Sequence, residues 1–358
     1  MACNSGHPLI RSAPWRRKHM KIPFLSRIDG FIRAMLVMVL LALLFPSLGA
    51  SAGPLHLDIV TVLGVSLVFF LHGAALSREK IVEGARNWRL HLFVQSCTFV
   101  LFPLIGAAIL VACKPFIPAE LLLGVFYLCA LPSTVSSSVA MTAMAKGNVP
   151  AAIFNATISG LIGMVATPLL MSFVIQASGA ELPVGKALLG VAEQLLLPFV
   201  LGQLLRPAIG GFITRYKAII NKVDRAVILL IVFNSFADST HAGVWSKYPW
   251  ETIVAVAIMS GALLFVVLGA TTWIARRFGF GLADEITAVF CGSKKSLANG
   301  VPMAKILFAG NPALGLIVLP IMIYHQLQLI VCSTLARRYA DRIAHAEDRA
   351  ADRAGQPA

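Results

Sequence analysis

Apolar residues arrive along this chain in long runs, and the polar residues that separate them are few and clustered. A bilayer core takes about 20 apolar residues per helix. On that measure ten runs predict ten membrane helices: Ala34–Leu48, Ile59–Leu76, Leu90–Ala112, Pro118–Ala145, Val149–Ile175, Ala187–Leu205, Val223–Ala237, Thr252–Ala275, Asp284–Phe308 and Ala313–Leu335. Two runs are interrupted. The fourth carries Leu131-Pro132-Ser133-Thr134-Val135-Ser136-Ser137-Ser138-Val139, and the ninth carries Cys291-Gly292-Ser293-Lys294-Lys295-Ser296. Proline, glycine and serine weaken a helix there and free backbone groups for other partners. Five runs precede the loop near Pro183 and five follow it, with a break in the fourth of each set. Each broken run ends in a Gly-Asn turn, Gly147-Asn148 and Gly310-Asn311. An odd number of spans inverts the second copy. The pattern therefore predicts an all-α multi-pass membrane protein of two inverted five-helix repeats, with broken fourth and ninth helices that cross. Paired breaks of this kind mark the solute site of secondary transporters; the plainer reading is two kinked helices packed against neighbours.

Composition agrees. The 358 residues are 58% hydrophobic and 13% charged, whereas soluble domains carry about 25% charged residues. The net charge of +14 would suggest a nucleic-acid partner if it were spread over a surface. It is not spread. With the N-terminus inside, twenty-four of the thirty Lys and Arg residues fall on the cytoplasmic side. Only Lys114, Lys186, Lys247 and Lys305 fall outside, and Lys294 and Lys295 lie within the ninth span. That asymmetry places both termini in the cytoplasm, with the chain in the plasma membrane, or the inner membrane of a Gram-negative organism. Residues 1–33 read as a basic cytoplasmic tail, 34–335 as the membrane region and 336–358 as a second cytoplasmic tail. The first apolar run reads as a retained span rather than a cleaved signal. Six cysteines show no metal-ligand spacing, and no nucleotide, HExxH or GxSxG motif suggests an enzyme. No cofactor is expected beyond Na⁺ or H⁺ as coupling ion, and the partners are a small solute and the lipid bilayer.

Within the spans, ionisable and polar groups are the candidates for chemistry. Two adjacent lysines cost about 3 kcal/mol each at a helix centre on insertion scales. Such charges persist only where water, a partner or a ligand meets them. Lys294 and Lys295, with Ser293, Ser296, Ser136, Asn234 and His325, are the candidate solute-binding residues. The oxygen-bearing Ser137, Ser138, Asn155, Thr157, Gln95 and Thr98 are the candidates for a coupling ion such as Na⁺. Against this stands the habit of serine and threonine of bonding back to their own helix, and a histidine in a membrane also bonds backbone carbonyls. Asp284 and Glu285 sit where carboxylates cap a helix N-terminus.

At these residues the chain resembles a known family. Gly64-Val65-Ser66-Leu67-Val68-Phe69-Phe70-Leu71-His72-Gly73, the break at 131–139, Leu197-Pro198-Phe199-Val200-Leu201-Gly202-Gln203, Gly292-Ser293-Lys294-Lys295-Ser296 and Ile323-Tyr324-His325 are similar to the SBF-like branch of the sodium/bile-acid symporter superfamily, of the sodium/bile acid cotransporter 7-like type. The resemblance implies a core domain of helices three to five and eight to ten and a panel domain of helices one, two, six and seven. It also implies alternating access to a solute held between the domains. Sodium-coupled members carry a glutamate and a glutamine-asparagine pair at the ninth-helix break. Here that stretch has no acid and lysines stand at or near the amide positions. The resemblance thus implies a bile acid:sodium symporter-like secondary transporter whose sodium coupling is in doubt, and the lysines favour a small organic anion. A non-transporting membrane regulator on the same fold is the alternative.

Overall fold

The computed structural model describes residues 30–76, 86–177, 184–247 and 249–354. Most of the basic N-terminal tail, Arg78, Lys80 and the loop at Pro183 lie outside the described residues. Twelve helices account for the architecture: α1 Gly30–Leu44, α2 Leu57–Ala75, α3 Trp88–Cys113, α4 Ala119–Ala130, α5 Ser136–Met144, α6 Val149–Ala177, α7 Gly185–Arg215, α8 Lys217–His241, α9 Trp250–Arg277, α10 Leu282–Gly292, α11 Leu297–Leu307 and α12 Leu314–Ala354. No strand occurs among the described residues. Six helices, α2, α3, α6, α7, α9 and α12, are long and apolar enough to cross a membrane. The first expected span is the shorter α1 followed by a single turn, Pro46–Gly49, because the residue before a proline is forced out of the helical region. The seventh expected span is longer than its apolar run, since α8 begins among polar residues at Lys217. The expected boundary at Leu335 is not a structural break, because α12 continues through it to Ala354.

Local chemistry sets the interruptions. Helix α4 stops at Ala130 because Leu131 precedes Pro132, and Leu131 is extended at φ −71°, ψ 153°. The helix resumes as α5 at Ser136. Helix α10 places Asp284 and Glu285 in its first turn, where the helix dipole favours carboxylates. It ends at Gly292, and the chain turns at Ser296, whose Oγ accepts the Asn299 N–H at 3.2 Å to cap α11. Helices α3 and α7 each widen for one π-helical turn, at Cys97–Leu101 and Ala192–Leu196, two residues before Pro103 and Pro198. A proline cannot donate to the carbonyl four residues back, and its ring crowds that carbonyl, so the ladder slips by one residue.

Two sets of helices emerge from the packing. Helices α1, α2, α7 and α8 pack on one another. The tightest approach is α2 against α7, where a Cβ on Gly73 would overlap the Phe199 carbonyl and one on Gly202 would overlap the Phe70 carbonyl. Small residues bring membrane helices together in this way. The second set is built round α4, which packs against α3, α6 and α12, with α9 to α11 completing it. Between the sets, α8 meets α11 and α12, and α7 meets α6 and α11.

Candidate solute and ion site

The two interruptions lie against each other inside the second set. The Ser296 N–H donates to the Pro132 carbonyl at 3.0 Å. Ser133 Oγ donates to the Cys291 carbonyl at 2.6 Å, and Ser138 Oγ donates to the Phe290 carbonyl at 3.1 Å. The Ser133 N–H donates to Ser159 Oγ of α6 at 2.9 Å. Backbone groups that an unbroken helix would have paired internally are thus paired across the junction, as a buried break requires.

Both lysines are fully buried at this junction. Lys295 Nζ donates to the carbonyls of Leu131 at 2.6 Å, Cys129 at 2.8 Å and Thr98 at 3.0 Å. The ammonium also lies 4.0 Å from the centre of the Phe102 ring, within cation–π range. All three of its N–H groups are therefore used. Cys129 and Leu131 belong to the C-terminal end of α4, where carbonyls lack helical partners and the dipole is negative. The lysine caps that end. Its own backbone is clamped by Gln328 of α12, whose Oε1 accepts the Lys295 N–H and whose Nε2 donates to the Lys295 carbonyl, each at 2.9 Å.

Lys294 is placed differently. Its Nζ donates to the Ser137 carbonyl at 2.8 Å and lies 5.3 Å from the centre of the Phe290 ring. Two of its three N–H groups have no hydrogen-bond acceptor among the described residues. Neither lysine meets a carboxylate among those residues, so no acidic side chain there offsets the charge of either ammonium.

The other expected residues divide. Ser293 Oγ bonds back to the Val289 carbonyl at 2.6 Å, and the Ser293 carbonyl accepts from Tyr324 Oη at 2.7 Å. His325 touches the junction indirectly, its Nδ1 2.8 Å from Gln328 Nε2. Ser136 is exposed and Ser137 half-buried, the latter 3.5 Å from Thr134 Oγ1. Gln95 Nε2 donates to the Asn155 carbonyl at 3.1 Å, while Gln95 Oε1 is buried without a hydrogen-bond partner. Asn155 Nδ2 bonds back to the Ala151 carbonyl at 3.0 Å, and Thr98 Oγ1 to the Val94 carbonyl at 2.9 Å. Thr157 is half-buried. Asn155 and Thr98 thus donate back to their own helices, while their side-chain oxygens keep acceptor capacity. Asn234 is not brought to the junction. It sits on α8, where its Nδ2 donates to the Gly49 carbonyl at 2.9 Å and its Oδ1 accepts from Lys305 Nζ at 2.9 Å.

Two contributors went unassigned on sequence grounds. Gln328 stood out only as a polar residue in an apolar run. Tyr127, whose Oη donates to the Gly300 carbonyl at 2.6 Å, carried no signal beyond its type.

The sequence pattern of the SBF-like CPA transporter family matches residues 29–341. The chain is 48% identical to an uncharacterized Pseudomonas aeruginosa protein, over 88% of this chain and 93% of that one. It is 45% identical to the Escherichia coli protein named "Putative symporter YfeH", over 91% and 98% of the two chains. It is 33% identical to sodium/bile acid cotransporter 7 of Danio rerio, over 86% and 93%.

Proposed function

Because the chain belongs to the SBF-like CPA transporter family, a family of transporters in the membrane, we propose that it is a secondary active transporter of a small organic anion working by alternating access. In this reading it has ten spans in two inverted halves, α4/α5 and α10/α11 being the broken fourth and ninth. The helix set α3–α6 and α9–α12 moves as a core against the panel α1, α2, α7 and α8, and both termini are cytoplasmic. The split of packing into two sets and the asymmetry of Lys and Arg support it.

The observation that carries the proposal is the Lys295 ammonium among three backbone carbonyls and an aromatic ring. That ligand set suits a monovalent cation, and a tethered one already occupies it. The resemblance places sodium ligands at this break in coupled symporters, so Lys295 acts as a built-in replacement for a coupling Na⁺. Lys294 retains unpaired N–H groups and supplies the charge that meets the anion once the site opens. Desolvating a lone ammonium is costly, and an anionic partner offsets much of that cost.

The test begins with purified protein and a panel of carboxylates, sulfonates and organic phosphates. A ligand that binds the folded state raises its melting temperature. A stabilising anion is then followed into proteoliposomes with Na⁺ or with choline outside. Uptake is expected in both, and Lys294→Met is expected to weaken anion binding at least about tenfold, the scale of one charge-assisted hydrogen bond. Uptake that stops without Na⁺ refutes the role of Lys295. Uptake confined to neutral or cationic solutes refutes the anion.

A further inference from the structure

Away from the junction, a half-buried lysine, Lys305, joins the two helix sets. Lys305, on the last turn of α11, donates to Asn234 Oδ1 of α8 at 2.9 Å, to Thr61 Oγ1 of α2, and at 3.5 Å to the Asp58 carbonyl of α2. Its acceptors are themselves held. Asn234 Nδ2 donates to Ser51 Oγ at 3.1 Å, and Asp238 accepts the Ser51 N–H and hydroxyl, each at 2.7 Å. Thr61 Oγ1 in turn donates to the Leu57 carbonyl at 2.6 Å.

One turn further along α8, Ser239 forms a second link. Its Oγ donates to the Pro312 carbonyl at 2.9 Å and accepts the Gly315 N–H at 3.0 Å. A Cβ on Gly315 would collide with Ser239, so the start of α12 is seated against α8. Among the described residues, the polar links found between the two sets gather at this one end: the starts of α2 and α12 and the ends of α8 and α11. At the other end the polar contacts found among the described residues include several that stay within a set. His72 lies 3.7 Å from Asp224, and Arg206 donates to the Ala74 carbonyl, all inside the α1, α2, α7, α8 set. Arg276 and Glu285, 2.9 Å apart, stay inside the other.

We infer that Lys305 is the bolt of a gate: its bonds to Asn234, Thr61 and Asp58, with the Ser239 link beside them, hold the outer ends of core and panel together. The inference rests on the alternating-access reading, which makes these ends extracellular. It adds that the structure is the inward-facing form and that these bonds part each time the protein opens outward. A ligand or substitution shifts such an equilibrium by its differential effect on the two forms. Removing the ammonium removes a partner present only when the gate is closed.

The experiment uses the full chain in intact cells, with native cysteines replaced and Ser235→Cys as reporter. Ser235 is fully buried beside the gate, and its hydroxyl has no hydrogen-bond partner, so the exchange breaks no bond. An impermeant maleimide is applied from outside. Lys305→Met should speed labelling roughly tenfold, the order expected on removing one charge-assisted hydrogen bond that favours the closed form. Lys305→Arg, which keeps donors and charge, should label more slowly than Lys305→Met. If Lys305→Met does not fold, Thr61→Val removes an acceptor and should speed labelling in the same direction. Unchanged labelling in a folded Lys305→Met protein, or equal acceleration by arginine, overturns the gate. The parent reading is checked separately by a cysteine at Lys114, an exposed residue on the outer side of the proposed topology. If the reagent fails to reach Lys114→Cys, the orientation fails and not the bolt.

Discussion

Replacing Lys295 and Lys294 in turn by methionine, which keeps bulk and removes charge, should give unequal losses of stability. At Lys295 the change strips partners from three carbonyls, those of Thr98, Cys129 and Leu131, and removes the contact with Phe102. A buried carbonyl left without a donor costs about 1–3 kcal/mol, so the gross loss is about 3–9 kcal/mol by the same principle. Set against it is relief from burying an ammonium, which amounts to several kcal/mol in proteins after relaxation. The net expectation is a destabilisation of about 2–4 kcal/mol for Lys295→Met. Lys294 has one carbonyl partner, at Ser137, and carries the same burial. The same relief set against a loss of about 1–3 kcal/mol leaves its methionine variant between equal to the parent and about 2 kcal/mol more stable. The assay is thermal unfolding of detergent-purified protein at one fixed scan rate, since unfolding of large chains is commonly irreversible. Lys295→Met melting at or above Lys294→Met would refute the reasoning, because the carbonyl cage would then contribute nothing that the single bond does not.

Gly202→Ala places a methyl group on the Phe70 carbonyl and should cost about 1–3 kcal/mol by overpacking the α2–α7 contact; a melting temperature equal to the parent's would mean that the two backbones can move apart freely. Tyr127→Phe removes the 2.6 Å bond to the Gly300 carbonyl while leaving the ring against Phe308 at 5.5 Å, and a loss of about 1 kcal/mol is expected in the same assay; a rise in stability would contradict it.

The interruptions were legible because their causes are local. A residue before proline leaves the helix wherever it occurs, so Leu131-Pro132 announced the end of α4, and Gly292 with Ser296 announced the gap between α10 and α11. What the lysines bond to was not legible. The three carbonyls around Lys295 come from α3 and the end of α4, 164 to 197 residues away in the chain, and carbonyls carry no sequence signature. Asn234 shows the limit of depth as a guide. A polar residue in mid-span can be assigned a height in the membrane, but its lateral neighbours depend on which helices pack together. Depth alone groups it with Lys294 and Lys295, whereas packing brings it to Lys305, which the charge pattern marks only as an outer residue. Thr98 and Ser138 illustrate the competing habit of hydroxyls: one bonds back to its own helix and the other stitches the two breaks together. The π turns before Pro103 and Pro198 had a signal in the prolines themselves, although an apolar run tolerates proline in a membrane without showing how the helix adjusts.

Helix α12 runs unbroken for 41 residues, so at 1.5 Å per residue it is about 60 Å long. The hydrocarbon layer it enters is about 30 Å thick, which leaves roughly half the rod projecting. Because its inner half is clamped to Lys295 through Gln328, the projecting half behaves as a pointer fixed to the junction. A rotation of about 10° within the membrane would sweep its tip through roughly 5 Å, given a free length of about 30 Å. Small rearrangements at the broken helices would thus be displayed, enlarged, at a site in water where an optical label can be attached without touching the transport path.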